Sequence, residues 1–209
     1  VTEQQAAAMM LKGLTAWFLL RRCYRVRAGE SVLLHSASGG VGLIALQWAV
    51  SLAAHVIAVV SSDEKAEVTR KYGAADVIVS DREDLVERVR TITKRRGVSV
   101  VYDGVGKDTF FASLDCLMPR GMMVSYGNAS GPVPPISPLE LTKRGSLYLT
   151  RPTLFHYIAK PSSLARGASS LFEMVASGKV KLRIGQTYPL ADAAQAHRDL
   201  EGRKTTGST

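Results

Sequence analysis

Short apolar runs alternate with amphipathic segments along the first 150 residues, and this alternation limits the fold more than any other feature of the sequence. The runs are residues 31–35, 55–60, 76–79, 98–102, 122–126 and 146–150. Strands that alternate with helices form βαβ units, in which the strands lie parallel in one sheet. We therefore predict an α/β fold with a doubly wound parallel sheet flanked by helices.

Two of the connecting segments show the apolar spacing of a helix. In the first, apolar residues recur at positions i, i+3, i+4 and i+7, namely Val41, Ile44, Ala45, Trp48, Ala49 and Leu52. The second stripe, Leu85, Val86, Val89 and Ile92, precedes Arg95 and Arg96, and such cations suit the carboxyl end of a helix. Both helices should cover the sheet, with Trp48 in the core.

The pattern changes near residue 150. Beyond Arg151 and Pro152, one helix is predicted to end near Gly178 and a shorter one to span residues 192–200. We therefore divide the chain into a domain of residues 1–150 and a C-terminal helical segment of residues 151–209. Residues 127–138, GNASGPVPPISP, predict a surface loop at the carboxyl end of a strand, where open α/β sheets bind ligands.

A glycine-rich turn, residues 36–42 with the sequence SASGGVG, joins the first run to the first helix. Glycine lets the backbone approach a pyrophosphate, and the free N–H groups at the start of a helix hold its charge. Gly39, Gly40, Val41 and Gly42 are therefore the candidate phosphate cradle of a Rossmann dinucleotide site. Ala37 replaces the first glycine of the GxGxxG template, so an ordinary tight turn stays an alternative.

The end of the second run bears on which nucleotide is bound. Sites that prefer NAD carry a carboxylate about 20 residues after the glycines, for the ribose hydroxyls. Here the run ends in Val60, Ser61 and Ser62, and Ser61 and Lys65 can donate hydrogen bonds to a 2′-phosphate instead. The sequence therefore favours NADP. A solvated Lys65, beside an Asp63 that caps a helix, is the structural alternative.

Composition limits the classes of protein to which the chain can belong. Apolar residues make up 46% of the chain and charged residues 22%, as in soluble globular proteins. No apolar run reaches the roughly 20 residues that cross a bilayer, and two cysteines make no disulfide framework, which predicts a cytoplasmic protein without a membrane partner. The net charge of +9 is compatible with nucleic acid, a membrane surface or a polyanionic cofactor. The basic runs at residues 21–22 and 94–96 lack interleaved aromatic residues, so nucleic acid is not the expected partner.

Longer blocks of sequence carry a family resemblance. AAAMMLKGLTAWFLL, HSASGGVGLIALQWA and VVYDGVGKDTF with LMPRGMMVSYGNASG occur in this order, and GSLYLTRPTL and YPLADAAQAHRDLEGRKTTGST follow them. Together they resemble the quinone oxidoreductase branch of the medium-chain dehydrogenases/reductases, which includes zeta-crystallin. The resemblance covers essentially the whole chain. It implies a Rossmann fold, NADPH as the cofactor, and reduction of a quinone or a related α,β-unsaturated carbonyl.

The resemblance also implies which residues contact the cofactor. Thr15 and Phe18 lie near it, Ser61 and Lys65 contact the adenosine phosphate, and Arg203 adds a second cation there. The nicotinamide half is flanked by Val105, Tyr126, Gly127, Asn128, Thr153 and Leu154. Ser80 stands where the family often has a tyrosine that frames the 2′-phosphate, a departure that weakens the NADPH assignment.

The sequence predicts no catalytic metal. MMLKGLT resembles a segment of zinc alcohol dehydrogenases whose third residue is a metal-binding cysteine, and here that residue is Leu11, which cannot bind Zn²⁺. The histidines, His35, His55, His156 and His197, are isolated in the sequence and are interpreted as packing or surface residues. No catalytic residue is assigned.

Members of the resembled family precede this segment with a GroES-like catalytic domain and follow it with a short strand. The chain is therefore expected to be a fragment whose active site is incomplete. Its residues beyond 150 would pack on the absent domain, and in a fragment they would be less ordered or paired with another chain. A homodimer is expected through the sheet edge at residues 146–150.

Three functions remain open. An NADPH:quinone reductase is the first, and a 2-enoyl reductase would use the same scaffold to reduce an enone or an enoyl thioester. A non-catalytic NADPH-binding or RNA-binding crystallin-like protein is the third, because of the crystallin relatives and the net charge of +9. Turnover of naphthoquinone and of crotonyl thioester separates the first two, and salt-sensitive RNA binding identifies the third.

Overall fold

The fold is built on a parallel sheet, seen in a computed structural model that describes residues 1–202 and 204–209. Its strands are β1 (Ser31–Leu34), β2 (His55–Val60), β3 (Asp76–Val79), β4 (Val98–Asp103), β5 (Leu117–Ser125) and β6 (Tyr148–Thr150). Their order across the sheet is β3-β2-β1-β4-β5-β6. This is the predicted doubly wound Rossmann sheet. β2 and β3 are added on one side of β1, and β4 to β6 on the other. This switch in strand order opens a crevice between β1 and β4 at the carboxyl ends of the strands.

Helices cover both faces of the sheet. They are α1 (Glu3–Phe18), α2 (Gly40–Ser51), α3 (Asp63–Lys71), α4 (Leu85–Ile92), α5 (Phe110–Asp115), α6 (Leu139–Lys143), α7 (Leu154–Tyr157), α8 (Pro161–Ala176) and α9 (Ala193–Glu201). Thr2 starts α1 with a capping box, in which its hydroxyl and the Gln5 side chain bond to each other's backbone N–H. No helix in the described residues is both long enough and apolar enough to span a bilayer.

Side chains that alternate along each strand divide the core into two layers. Leu34 and its neighbours on one face pack under α1 and α2, with Trp48 buried as predicted. Leu33 points to the opposite face, where it joins Val89 of α4 and Leu114 of α5. Both faces of a parallel sheet are normally covered in this way, which explains why the strands are almost continuously apolar.

The strand boundaries differ from the prediction by more than one residue at two places. β5 begins at Leu117, five residues before the predicted start, because Pro119 and Gly121 interrupt the apolar pattern that marks a strand. β6 begins only at Tyr148, since Ser146 has a φ of 57°, which a strand does not accommodate.

The predicted basic end of α4 is also shifted. Arg95 and Arg96 lie just after α4, and Arg95 has a φ of 63°, so they belong to the turn that leads into β4.

The segment beyond residue 150 packs on the first two helices. Leu171 of α8 is fully buried against Gly13 of α1, where an added Cβ would overlap the leucine side chain. Gln47 of α2 accepts a hydrogen bond from the Lys181 N–H at 2.8 Å and donates one to the Lys181 carbonyl at 3.1 Å. The described part of the C-terminal segment therefore has packing partners within this chain.

We predict that α8 contributes to the stability of the fold. Leu171→Ala should lower the free energy of unfolding by about 2–5 kcal/mol, because it leaves a cavity between α1 and α8. Phe172→Ala on the same helix is the control, since Phe172 is 42% exposed and its loss should cost much less. Urea titration of the three proteins measures both effects, and equal losses would show that α8 is only loosely attached.

Candidate functional site

Two cavities of about 530 Å³ each lie at the carboxyl edge of the sheet. The first, called here the switch-point cavity, is lined by residues that follow β1, β2, β3 and β4, among them Ser38, Gly39, Ser61, Lys65, Ser80 and Val105. The second, the α1 cavity, is lined by Thr15, Phe18, Tyr126, Arg151, Pro152, Thr153 and Leu154. The predicted site residues therefore gather around two neighbouring parts of one edge.

The glycine-rich turn forms one wall of the switch-point cavity. Gly39 is the N-cap of α2 and brings no side chain to cap the first N–H groups of the helix. A Cβ on Gly42 would lie 2.7 Å from the Cα of Ala37 and would overlap the Ser36 carbonyl oxygen, so only glycine fits there. Gly40 and Val41 complete the first turn of the helix. No side chain caps these N–H groups, and the small residues of the turn leave space beside them, which fits a phosphate-binding cradle.

Residues predicted to contact an adenosine phosphate converge at the ends of β2 and β3. The Nζ of Lys65 donates to the Ser61 hydroxyl at 2.9 Å, and the Ser80 hydroxyl donates to the Val60 carbonyl at 3.2 Å. All three side chains line the switch-point cavity. Arg203, the predicted second cation, lies outside the described residues.

The first turn of α3 corrects one expectation. Ser62, not Asp63, caps this helix, because the Ser62 hydroxyl accepts the N–H of Lys65 at 3.4 Å. Asp63 instead pairs with Arg82 across an exposed surface at 2.7 Å. The serine is preferred because it stands at the extended residue before the helix, where a capping oxygen reaches back to the third helical N–H.

Three carboxylates that line the switch-point cavity, Asp108 and the pair Glu83 and Asp84, were not predicted from the sequence. Glu83 accepts the N–H of Val79 at 2.8 Å and pairs with Arg88 at 2.8 Å. Asp84 caps α4 by accepting the N–H of Glu87 at 2.8 Å. Glu83 and Asp84 are thus engaged by the protein itself. One signal could have identified Asp84, namely its position directly before a helical stripe.

Asp103, at the end of β4, organises the loop that follows. Its side chain is fully buried, and Oδ1 accepts the N–H groups of Val105 at 2.7 Å and Gly106 at 3.1 Å. Oδ2 accepts the hydroxyls of Thr109 at 2.7 Å and Ser113 at 3.2 Å. The buried charge is balanced by these hydrogen bonds, which fix Val105 and Thr109 in the cavity wall.

His35 extends this network on the β1 side. Its ring is 1% exposed, and its Nε2 lies 2.8 Å from the hydroxyl of Ser113. Burial lowers the pKa of the imidazole below its ordinary value, and the negative charge of Asp103 opposes this effect. The packing role predicted for His35 agrees with its position, and the ring also lines the switch-point cavity.

The α1 cavity brings together three of the six residues predicted for the nicotinamide half, with Thr15 and Phe18 beside them. Tyr126 is partly buried, and desolvation of its phenol together with the charge of Asp103 raises the pKa of that group. The Thr15 hydroxyl donates to the Leu11 carbonyl at 2.7 Å, and Phe18 stacks on Tyr157 with ring centroids 4.8 Å apart. Thr153 and Leu154 are the other two of these three residues. Arg151 and Pro152 were missed, although they directly precede Thr153.

Three predicted residues have a different position from the rest. Val105 lines the switch-point cavity, not the α1 cavity. Gly127 and Asn128 line neither cavity. A Cβ on Gly127 would lie 2.9 Å from the Cα of Gly104, and the Asn128 carbonyl accepts the N–H of Gly131 at 3.0 Å. Gly127 thus lets the loops after β4 and β5 approach each other, whereas Asn128 closes a turn within the second loop, and the contact of both residues with a cofactor stays a prediction.

Within residues 1–202 and 204–209, no group of three or more His, Cys, Asp or Glu side chains could hold a metal ion. Leu11, at the position of the zinc-binding cysteine, is 63% exposed on α1. His55 pairs with Asp76 at 2.7 Å at the amino end of the sheet, and this pair is therefore distant from the two cavities. Zinc independence stays a prediction.

Comparison with known proteins identifies the family. Residues 40–163 match the family model described as zinc-binding dehydrogenase. The chain belongs to this family. The matched region begins in the glycine-rich turn, at the start of α2, and reaches into α8. It therefore includes the strands β2 to β6, whose carboxyl ends lie around the two cavities.

Individual relatives agree with this assignment. The chain is 50% identical to a quinone oxidoreductase of Pseudomonas aeruginosa over 99% of its length and 63% of that protein. It is 48% identical to a 2-haloacrylate reductase of a Burkholderia species, over 97% of the chain and 61% of the relative. A crystal structure of Escherichia coli quinone oxidoreductase complexed with NADPH superposes with a TM-score of 0.98 at 48% identity, over all of this chain and 65% of that one. The chain thus spans less than two thirds of the length of these relatives.

We predict that His35 makes stability depend on pH. In the unfolded chain an imidazole gains a proton as the pH falls below about 6.5, whereas the buried His35 resists protonation. Acid therefore favours unfolding, and this contribution to stability is complete above that pH and is lost below it. His35→Gln, which keeps an N–H donor toward Ser113 but does not titrate, should be closer in stability to the wild type at about pH 5 than at about pH 7.5.

The control for this measurement is His156→Gln, since His156 is exposed on α7. Urea titrations of the three proteins at both pH values give the differences. A gap between wild type and His35→Gln that does not change with pH would contradict the buried, neutral state assigned to this ring.

Proposed function

We propose that this chain binds NADPH and serves an NADPH:quinone oxidoreductase that works without zinc. The observation that carries the proposal is the arrangement of two cavities on one edge of the sheet, one with a glycine cradle and one with an aromatic and hydroxyl lining. A dinucleotide has two halves joined by a pyrophosphate, and this fold binds such ligands across the crevice at its switch point. The relatives named quinone oxidoreductases support the same reading.

The residues present fit each part of NADPH. The first turn of α2 would hold the pyrophosphate, because its N–H groups are uncapped and Gly42 lets the backbone come close. Ser61, Lys65 and Ser80 would surround the 2′-phosphate, with Arg203 as a further cation. Thr15, Phe18 and Tyr126 would flank the nicotinamide. When bound, NADPH would supply the hydride for the reaction.

The protein's own contribution would be orientation and the exclusion of water. Among the residues that the structure describes around the α1 cavity there is no carboxylate, histidine or cysteine, and the raised pKa of Tyr126 keeps its phenol neutral. The described part of this cavity therefore holds no side chain ready to act as a general base, and no catalytic residue is assigned. A quinone suits such a site, since its oxygen can take a proton from solvent after reduction.

Several features of the complete protein belong to this proposal. Residues 1–150 would form the cofactor domain, and residues 151–209 would belong with a catalytic domain that closes the α1 cavity. Two protomers would pair through β6, the edge strand, where Tyr148 is 57% and Leu149 38% exposed. A cytoplasmic location is in keeping with Cys23 and Cys116, which are both free thiols.

A second function is favoured by one finding, the 48% identity to a 2-haloacrylate reductase. Such an enzyme, like a 2-enoyl reductase, acts on a carbon–carbon double bond next to a carboxyl group. RNA binding is less favoured, because the basic residues 94–96 follow α4 and precede β4, at the amino edge of the sheet and away from both cavities.

Turnover by the complete protein decides between these functions. NADPH oxidation should be faster with naphthoquinone than with crotonyl thioester or 2-chloroacrylate, and it should persist after exhaustive treatment with a zinc chelator. A preference for the thioester or the acid would reassign the protein to the reductases of conjugated acids. Loss of activity in the chelator, restored by Zn²⁺, would overturn the zinc-free mechanism.

We predict that Lys65 distinguishes NADPH from NADH. A charge-assisted hydrogen bond contributes about 1.5–3 kcal/mol, and screening by solvent favours the lower end, so Lys65→Met should weaken NADPH binding by roughly tenfold. NADH binding should change little, because it lacks the 2′-phosphate. The control is Lys71→Met, an exposed lysine about 9 Å further along α3. Calorimetric titration with both cofactors tests this, and equal losses for NADPH and NADH would contradict it.

A further inference from the structure

Arg151 lies in the candidate site, and the proposed function assigns it no role. It directly follows Thr150, the last residue of β6, so it stands at the carboxyl edge of the sheet, where this fold binds ligands. Its side chain lines the α1 cavity. Among the residues that the structure describes around this cavity, it is the one with a charge at neutral pH.

The guanidinium of Arg151 has donors to spare. Its Nη1 donates to the Pro152 carbonyl at 3.4 Å, a long bond that uses one of five N–H groups. No described carboxylate lies within ion-pair distance of it, whereas Arg82, Arg88, Arg90 and Arg144 each have an acidic partner. An arginine without a carboxylate, at a ligand cavity, is suited to bind a carboxylate of the ligand in a bidentate manner.

The other described residues that line the α1 cavity carry no charge with which to bind a ligand carboxylate. Phe18, Pro152 and Leu154 provide apolar surface and cannot balance a charge. The Thr15 hydroxyl is already engaged with the Leu11 carbonyl, and the phenol of Tyr126 stays neutral. A ligand anion that enters the cavity would therefore meet one complementary cation beside an apolar wall.

We propose that Arg151 recognises the carboxylate of a small unsaturated acid, and that such acids are a second substrate class of the site. The inference rests on the proposed function for the source of the hydride. In that reaction a C–H bond forms at the carbon β to the carboxylate, the π bond of the alkene breaks, and a proton from solvent adds to the α carbon. NADPH, a proton and the unsaturated acid give NADP⁺ and the saturated acid.

Pairing with a guanidinium would also help the acid to react. The negative carboxylate of a free conjugated acid opposes the addition of a hydride, which carries negative charge onto the substrate. An ion pair with Arg151 offsets this charge and holds the alkene against the apolar wall. A neutral quinone needs no such partner, so Arg151 would set the choice between the two substrate classes.

Binding of a matched pair of ligands tests the proposal without turnover. The complete protein, saturated with NADP⁺, is titrated calorimetrically with 2-chloropropionate and with its uncharged amide, 2-chloropropionamide. We expect the wild type to bind the acid roughly tenfold more tightly than the amide, as one charge-assisted contact allows. Arg151→Gln should bind both with the weak affinity of the amide. Arg151→Lys should retain part of the preference, since it keeps the charge but loses the bidentate geometry.

Arg166→Gln is the control, because Arg166 is exposed on α8 and lines neither cavity. It should keep the wild-type preference for the acid. Equal affinities for acid and amide in the wild type, or an equal loss in Arg166→Gln, would overturn the proposal. So would a weaker NADPH affinity in Arg151→Gln, since the guanidinium would then serve the cofactor.

Two further measurements keep the tests independent. NADPH titration and naphthoquinone reduction by the wild type report on the proposed function, and the control Arg166→Gln should leave both unchanged. If the wild type reduces naphthoquinone but shows no preference for the acid, the inference about Arg151 fails and the proposed function stands. If the wild type does not bind NADPH, the proposed function itself fails.

Discussion

The buried carboxylate of Asp103 is the contact on which the cofactor edge of this chain depends. It accepts four hydrogen bonds, from two backbone amides and two hydroxyls. It lies at the end of β4, next to the switch point between β1 and β4. Through Ser113 it reaches His35 at the end of β1, and its charge acts on Tyr126 after β5. One buried carboxylate thus interacts with groups at the ends of β1, β4 and β5, which are neighbours in the sheet. Removing it would leave several polar groups without hydrogen-bond partners.

Much of the fold could be predicted because the signals were local. The apolar runs at β2 and β3 and the stripe at α4 carry their periodicity in a few consecutive residues, and the structure confirms their bounds. The beginning of β5 was hidden, since Pro119 and Gly121 are unusual in a strand and are accommodated only by an irregular register with β4. The left-handed Ser146 likewise depends on the turn after α6, which no short pattern of residues predicts.

The candidate site was predictable to the extent that a residue's position follows from the nearest strand or turn. The glycine cradle, Ser61 and Lys65 follow from the sequence around β1 and β2, and the resemblance added Thr15 and Tyr126. Asp103 was missed because its role depends on hydroxyls six and ten residues away. The part of the wall that contains Leu200 and Thr205 was missed for a similar reason, since it depends on a long-range contact, the Gly207 N–H to the Ser38 carbonyl at 2.8 Å.

The turn between α4 and β4 carries the basic residues 94–96 on the amino edge of the sheet, whereas both cavities open on the carboxyl edge. The six residues of β4 separate the two edges by roughly 20 Å. If this turn binds to a negatively charged chromatography matrix or sensor surface, the ligand-binding side of the molecule would face the solution. The three cations of residues 94–96 would then serve as the point of attachment, and small ligands would still reach the crevice.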